Sequence, residues 1–331
     1  MGPAAIVVGA LLVAIVFADA FMTTLTVSWG PGPLSSRVLG ALWRLLLAMY
    51  RRRGSAILTV AGALLLVTTV VLWVLLLWLG WSLVFWGSDS VVHAKTGATA
   101  GPFDAAYYAG YTLFTLGTGD FVPSTTVTRL LSVVTTFTGL FLVTLAITYL
   151  VAVVSAVVRR RSLAIRIHGL GPDATQIVAR GWQDGRFSPL FEQQLLGLTP
   201  DVVNGAEQHL AYPVLHYFHT RGRDLAASQA IVDLDEALLV MTAVVRPPFR
   251  PDPSVTEPLR HAIGRYLSTV HEVAWSPRTD PPPPPSLDRL RRLRVPLVSD
   301  DELDRVLERE QPRRKELNRL LKSDGWEWTD G

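Results

Sequence analysis

The sequence predicts an all-α membrane protein with a helical soluble domain appended. Three observations carry this. The 331-residue chain has a mean hydropathy of +0.30 and only 18% charged residues, too apolar for an ordinary soluble protein. Its apolar residues fill the first half, while the second half is polar, charged and proline-rich. The basic triplets Arg51-Arg52-Arg53 and Arg159-Arg160-Arg161 stand at the borders of apolar runs. The predicted divisions are an N-terminal membrane helix with an interfacial helix over 1–54, a membrane domain over 55–161, and a helical domain over 162–331. The net charge of +3 needs no nucleic acid to explain it, and the lack of cysteine excludes disulfides, iron–sulfur clusters and thiolate zinc sites.

Residues 4–28 form the first apolar run, long enough for a hydrocarbon core that takes roughly 20 helical residues. Ala18-Asp19-Ala20 resembles a signal-peptidase site, but no positive charge precedes the run as a signal peptide requires. Whether this helix is retained stays open. Asp19 is an ionisable residue inside an apolar run, expected either to pair with a neighbouring helix or to face water near the border. The run carries no arginine ladder, so it is no voltage sensor. Over 34–53, Leu39, Leu42, Trp43, Leu46 and Leu47 recur at helical spacing among arginines. Two readings stand: an amphipathic interfacial helix, or a basic loop that sets orientation.

Residues 56–86 form the second span. Trp73, Trp78, Trp81 and Trp86 crowd its far end, where an aromatic belt is expected, and the preceding arginines keep its start cytoplasmic. Residues 88–102 read as an external loop. Residues 103–114 are too short to span, and Asp104 suits the positive end of a short helix. Residues 126–158 form the third span. At about 1.5 Å per residue they overshoot the bilayer, and so they tilt or extend into the cytoplasm. Orientation places the N-terminus outside if the first run spans.

Between the short helix and the third span lies Thr115-Leu116-Gly117-Thr118-Gly119-Asp120. Alternate glycines allow a backbone that reaches sterically costly conformations at every second residue. Irregular backbone at membrane depth is tolerated only where it is buried in protein or lines a water-filled path. A ring of carbonyls aimed at one axis can replace the water around a cation. These features predict an ion channel subunit.

Residues 103–161, with the preceding outer helix, resemble the pore domain of the potassium channel superfamily: outer helix, pore helix, filter, inner helix. The family pattern Thr-Val-Gly-Tyr-Gly-Asp is met at four of its six positions. Leu116 replaces the valine and Thr118 the aromatic. Pro123 follows as in many members, Gly139 falls where a hinge glycine is common, and Tyr107 and Tyr108 match an aromatic pair on the pore helix. The resemblance implies that carbonyls of Thr115, Leu116, Gly117 and Thr118 line the ion sites, with the Thr115 hydroxyl closing the innermost. It places Gly119 in the filter and directs the Leu116 and Thr118 side chains into the pore helix. Asp120 stands at the outer mouth, and the Thr118 hydroxyl is expected to bond Tyr107, Tyr108 or Tyr111. Four pore loops are needed, so the resemblance implies a homotetramer in the plasma membrane with a cytoplasmic C-terminal domain. Potassium selectivity is the expected function and a nonselective cation pore the rival, because Thr118 lacks the ring that packs behind the filter.

On the family's register Leu140, Val143, Ile147 and Val151 face the conduction path as a candidate apolar gate. The other reading packs them on the outer helix. Thr135, Thr136, Thr144 and Thr148 are candidates for a wet cavity. Gly139 is a candidate bend point or a packing site. Arg51, Arg52, Arg53, Arg159, Arg160 and Arg161 are candidate contacts for anionic lipids. Potassium ions in the filter are the only expected ligands.

In the soluble domain Thr199-Pro200-Asp201 reads as a helix start capped by threonine, and Ser299-Asp300-Asp301-Glu302 as a capping box. Residues 224–245 carry the strongest apolar periodicity, and the proline run 281–285 reads as an extended linker. Gly169-Leu170-Gly171 lacks the third glycine of a dinucleotide turn. His209, His216 and His219 cluster, the last two at helical spacing. They are candidate zinc ligands or ordinary helix residues. There is no phosphate-binding Walker loop, nucleophile elbow or His-Glu-x-x-His, so no enzyme is predicted. A reading of another class is a membrane-anchored signalling or scaffold protein whose pore domain does not conduct.

Overall fold

A computed structural model describes residues 2–26, 32–53, 56–220, 222–273 and 279–328. The protein is an all-α membrane protein. Among the described residues, three helices are long and apolar enough to cross a membrane: Gly2–Leu25, Val60–Gly87 and Thr126–Leu170. The chain forms two compact units, Met1–Arg52 with Ala63–Val153, and Arg53–Gly62 with Val154–Gly331.

The first unit is built from α1 (Gly2–Leu25), α2 (Pro33–Arg53), most of α3 (Ala56–Gly87), the short α4 (Pro102–Leu113) and the first part of α5 (Thr126–Leu170). Its core joins Val16 and Ala20 of α1, Trp73, Leu77 and Phe85 of α3, Tyr108 and Ala109 of α4, and Leu142 of α5. Helices α1 and α3 run antiparallel in close contact. A Cβ at Gly9 would sit 2.4 Å from the Gly80 carbonyl oxygen.

Asp19 takes the pairing role. It is fully buried, and its Oδ1 accepts from Leu34 N at 2.7 Å and Ser35 N at 3.1 Å. Its Oδ2 accepts from the Ser35 hydroxyl and from Trp73 Nε1 at 2.9 Å. The carboxylate therefore caps α2 from fifteen residues away, satisfying amide groups that no residue of that helix can reach. Of the four tryptophans expected in an interfacial belt, three donate inside the unit instead. Besides Trp73, Trp78 donates to Ala106 O at 2.8 Å and Trp81 to Thr138 Oγ1 at 3.0 Å. The expected belt is thus largely a set of internal struts, because each indole pairs apolar bulk with one donor that a buried partner can satisfy.

Two local features depart from expectation. The external loop contains strand β1 (Val91–His93), paired antiparallel with β2 (Phe121–Pro123). The helix that carries the third span does not stop at Val158: α5 continues through the arginine triplet to Leu170. Arginine is a good helix former, and charge alone does not stop a helix.

The second unit packs eleven turns or helices, among the described residues, on the end of α5. They include α6 (Ala174–Gly181), α7 (Pro189–Leu196), α8 (Thr199–Ala211), α9 (Ala227–Leu239), α10 (Pro253–Val273), α11 (Asp288–Arg292) and α12 (Asp300–Ser323). A two-residue hairpin, β3 (Trp182–Gln183) with β4 (Arg186–Phe187), lies between α6 and α7. Helix α9, within the most periodic segment, is the centre: all its residues but Asp233 are buried. Its adjacent acids pair with adjacent arginines of α12. Glu236 receives Arg314 Nε at 2.8 Å and NH2 at 3.0 Å, and Asp235 receives Arg313 NH2 at 2.6 Å.

The proline run is not a free linker. Arg314 donates to Pro282 O at 3.3 Å and Pro283 O at 2.6 Å, and Asn318 Nδ2 donates to Asp280 O at 2.9 Å. The run is extended and outside any helix or strand, so its backbone carbonyls are available to buried α12 side chains. Thr199 is not the cap of α8. The helix starts after Leu198, with Thr199 already its first residue. Ser299 occupies the cap position of α12 without a side-chain capping bond.

Candidate functional site

The segment between α4 and β2 alternates in backbone conformation. Thr115 (φ 60°), Gly117 (φ 64°) and Gly119 (φ 77°) are left-handed, and the residues between them are not. Such alternation turns successive amide N–H groups to one side of the ribbon and the carbonyls to the other. Thr115 is the costly member: a β-branched residue at positive φ carries strain of about 1–3 kcal/mol, which persists only where its surroundings impose it.

The surroundings hold both ends of the segment. At its start, α4 is capped by Asp104, whose Oδ2 accepts from Gly101 N at 3.1 Å, with Pro102 in the first turn. At the other end of α4, Leu116 N donates to Tyr111 O at 2.8 Å and Thr115 N to Thr112 O at 3.3 Å. Beyond the glycines, Ala94 N donates to Asp120 O at 2.8 Å, and the Tyr111 hydroxyl donates to Phe121 O. Between these anchors, Tyr107 OH donates to Thr118 Oγ1 at 3.1 Å and lies 3.4 Å from Asp120 Oδ2.

Of the three tyrosines, Tyr107 reaches Thr118, Tyr111 reaches the strand after the motif, and Tyr108 meets Ser132 Oγ of α5. Leu116 departs from expectation. Its side chain is 69% exposed and does not pack into the pore helix of its own chain. All residues from Thr115 to Asp120 are exposed.

Helix α5 has two faces. Leu142, Ala146, Tyr149 and Val153 are buried, whereas Leu140, Val143, Ile147 and Val151 lie on the exposed face with Thr144 and Thr148. Thr135 and Thr136 do not share that face. Thr135 is fully buried, and Thr136 donates to Thr112 O of α4 at 3.0 Å. Gly139 is a close-packing position. A Cβ there would sit 2.3 Å from Leu113 O, at the end of α4, and α5 is continuous through it.

The braces formed by Trp78, Trp81, Ser132 and Thr136 were not legible as such. Their only trace is hydroxyls at helical spacing on an apolar helix.

Of the arginines, Arg159 and Arg161 are exposed, and Arg160 pairs with Asp324 at 2.6 Å. The side chains of Arg51, Arg52 and Arg53 lie outside the described residues. The three histidines do not share a helix: His209 is in α8, His216 in a single 3-10 turn and His219 beyond it. Among the described residues no group of three or more metal-ligating side chains converges.

Residues 68–156 match a protein family described as ion channel. The uncharacterized membrane protein YdjJ of Bacillus subtilis (strain 168) is 30% identical over 327 residues, which is 98% of this chain and 94% of that one. The chain belongs with it to one family of membrane proteins, carrying a pore-loop ion-channel segment of the potassium channel superfamily type. No solved structure matches it.

Proposed function

We propose that the protein is the subunit of a potassium-selective channel in the plasma membrane, with the second unit in the cytoplasm. One observation carries the reading: the left-handed positions at 115, 117 and 119, an alternation on which the carbonyls of Thr115, Leu116, Gly117 and Thr118 would line the ion sites. The Tyr107–Thr118 hydrogen bond supports it, since it braces the filter where a ring is lacking. Asp120 at the outer mouth adds a fixed negative charge that attracts cations. Leu140, Val143, Ile147 and Val151 form an apolar lining that closes by dewetting.

A nonselective cation pore is the second reading, favoured by Thr118 itself: one hydrogen bond replaces the packing of an aromatic ring. Currents from purified protein in planar bilayers with potassium on one side and sodium on the other distinguish the two. A reversal potential near the potassium equilibrium value is expected. Equal permeability of the two cations would refute potassium selectivity and leave the nonselective pore.

A further inference from the structure

Within the second unit, Arg160 of α5 is gripped from two sides. Its Nη1 donates to Leu215 O at 2.8 Å and its Nη2 to Asp324 Oδ2 at 2.6 Å. Both charged side chains are largely buried, 13% and 10% exposed. Asp324 occupies the C-terminal cap position of α12, and the chain turns back at Gly325 (φ 76°). Trp326 N then donates to Leu321 O at 2.9 Å. Arg223 Nη2 donates to Glu327 O at 2.6 Å, and its guanidinium lies over the Trp326 ring. An ion pair thus ties residues 324–328 to α5, the helix that carries Ile147 and Val151.

Three histidines surround this pair, and Asp324 and Arg160 act electrostatically on each of His209, His216 and His219. Tyr266 of α10 stands beside Arg160, and the Tyr217 ring lies 5.7 Å from that of His216. A cavity of about 340 Å³ is lined by Arg160, Arg161, Phe218, His219, Asp324 and Trp326. One water needs only about 10–15 Å³ on this measure, so the space admits solvent beside the pair.

A protonated imidazole carries two N–H donors. The Nδ1 of His216 is buried without a hydrogen-bond partner, and Arg160 opposes a second positive charge there. The docked cluster therefore suits neutral histidines. Burial, with Arg160 adding to it and Asp324 opposing, holds His216 and His219 below their ordinary pKa of 6.5. His209 of α8 is held at about 3 by burial and stays neutral. Phe218 packs on the bare backbone of Gly62, where a Cβ would sit 2.6 Å from the ring. The histidine-bearing turn is anchored by that contact, which leaves the segment after α12 as the part that can leave.

We propose that the Arg160–Asp324 pair is a clamp that acid opens, protons taken up by His216 and His219 releasing residues 324–328 from α5. Protons bind these histidines well only in the released state, so docking is complete above about pH 6.5 and weakens as pH falls below it. The clamp does not depend on which cation the pore conducts.

Hydrogen exchange of the full chain in phosphatidylcholine nanodiscs, corrected for the intrinsic effect of pH, tests this. The reporters are the amides of Asp324, Gly325 and Trp326, which donate to carbonyls of α12. Between pH 7.5 and pH 5.5 each histidine should shift the release equilibrium about tenfold, so protection should fall about a hundredfold. His216→Gln and His219→Gln should each leave a fall of about tenfold, and the double variant none. If the double variant does not fold, the single variants still read the proposal. Asp324→Asn should lower the protection already at pH 7.5. Equal protection at the two pH values, an undiminished fall in both single variants, or a loss confined to residues 213–220 would overturn the proposal.

Discussion

At the residue scale, burial and partner decide what each side chain does. Asp233 of α9 lies close to Gln229 Nε2, at 3.0 Å, and has no arginine fork such as Asp235 and Glu236 have. Burial raises its pKa to about 7 from an ordinary 3.8. The folded state thus holds a proton that the unfolded chain releases. Stability from this group is present at low pH and is lost as pH rises through about 7. Asp233→Asn removes that loss. Its gain over the parent protein should be larger at pH 8 than at pH 5 by about 2 kcal/mol, after discounting for its partial exposure. Denaturant midpoints at the two pH values measure this; equal gains would show that Asp233 stays charged in the fold. Nothing in the periodicity of residues 224–245 separates Asp233 from Asp235. Only the positions of Arg313 and Arg314, some eighty residues later, make that difference.

At the scale of elements, the pore helix is positioned by neighbours on either side in the chain. Gly139 lets α5 approach the end of α4, and the backbone oxygen of Leu113 has little room to move. Gly139→Ala should cost about 1–3 kcal/mol through overpacking, read as a lower melting temperature of the purified protein. Unchanged stability would show that α5 shifts freely there, as a hinge would allow. Asp19 does the same service for α2. Asp19→Ala strands the amides of Leu34 and Ser35 and the indole N–H of Trp73, and should cost about 2–4 kcal/mol in all. Asp19→Asn keeps one carbonyl acceptor and should cost less. Similar losses for both would mean that charge, not hydrogen bonding, holds the cap. The helices themselves were legible from apolar runs and border arginines, because those patterns are set along the chain. The strand pair β1–β2 was not. Three residues a side carry too little pattern, and the pairing joins segments thirty residues apart.

At the scale of the whole molecule, the exposed faces point to other copies of the chain. The motif residues, Leu116 and the outward face of α5 are all uncovered in one chain. Apolar faces beside a pore loop fit a closed ring of identical subunits. We therefore predict a homotetramer. Native mass measurement of the protein released from detergent should give four chains. A dimer as the largest species, together with absent conductance, would favour the non-conducting scaffold instead. Leu116, exposed in its own chain, is predicted to be covered by a neighbouring subunit.

The sequence by itself determined the class of the protein. Apolar runs, border arginines and the alternate glycines of Thr115 to Asp120 are local patterns, and each follows from a requirement that acts along the chain. The match of residues 68–156 to an ion channel family agrees with them. Tertiary structure decided what holds the pattern in place. It decided that Asp19 caps α2, that Trp73, Trp78 and Trp81 act as struts, and that the proline run docks on α12. It also made Thr115 left-handed alongside the glycines. These depend on atoms brought together from distant parts of the chain, and hydrogen bonds between such atoms leave no periodicity in the sequence.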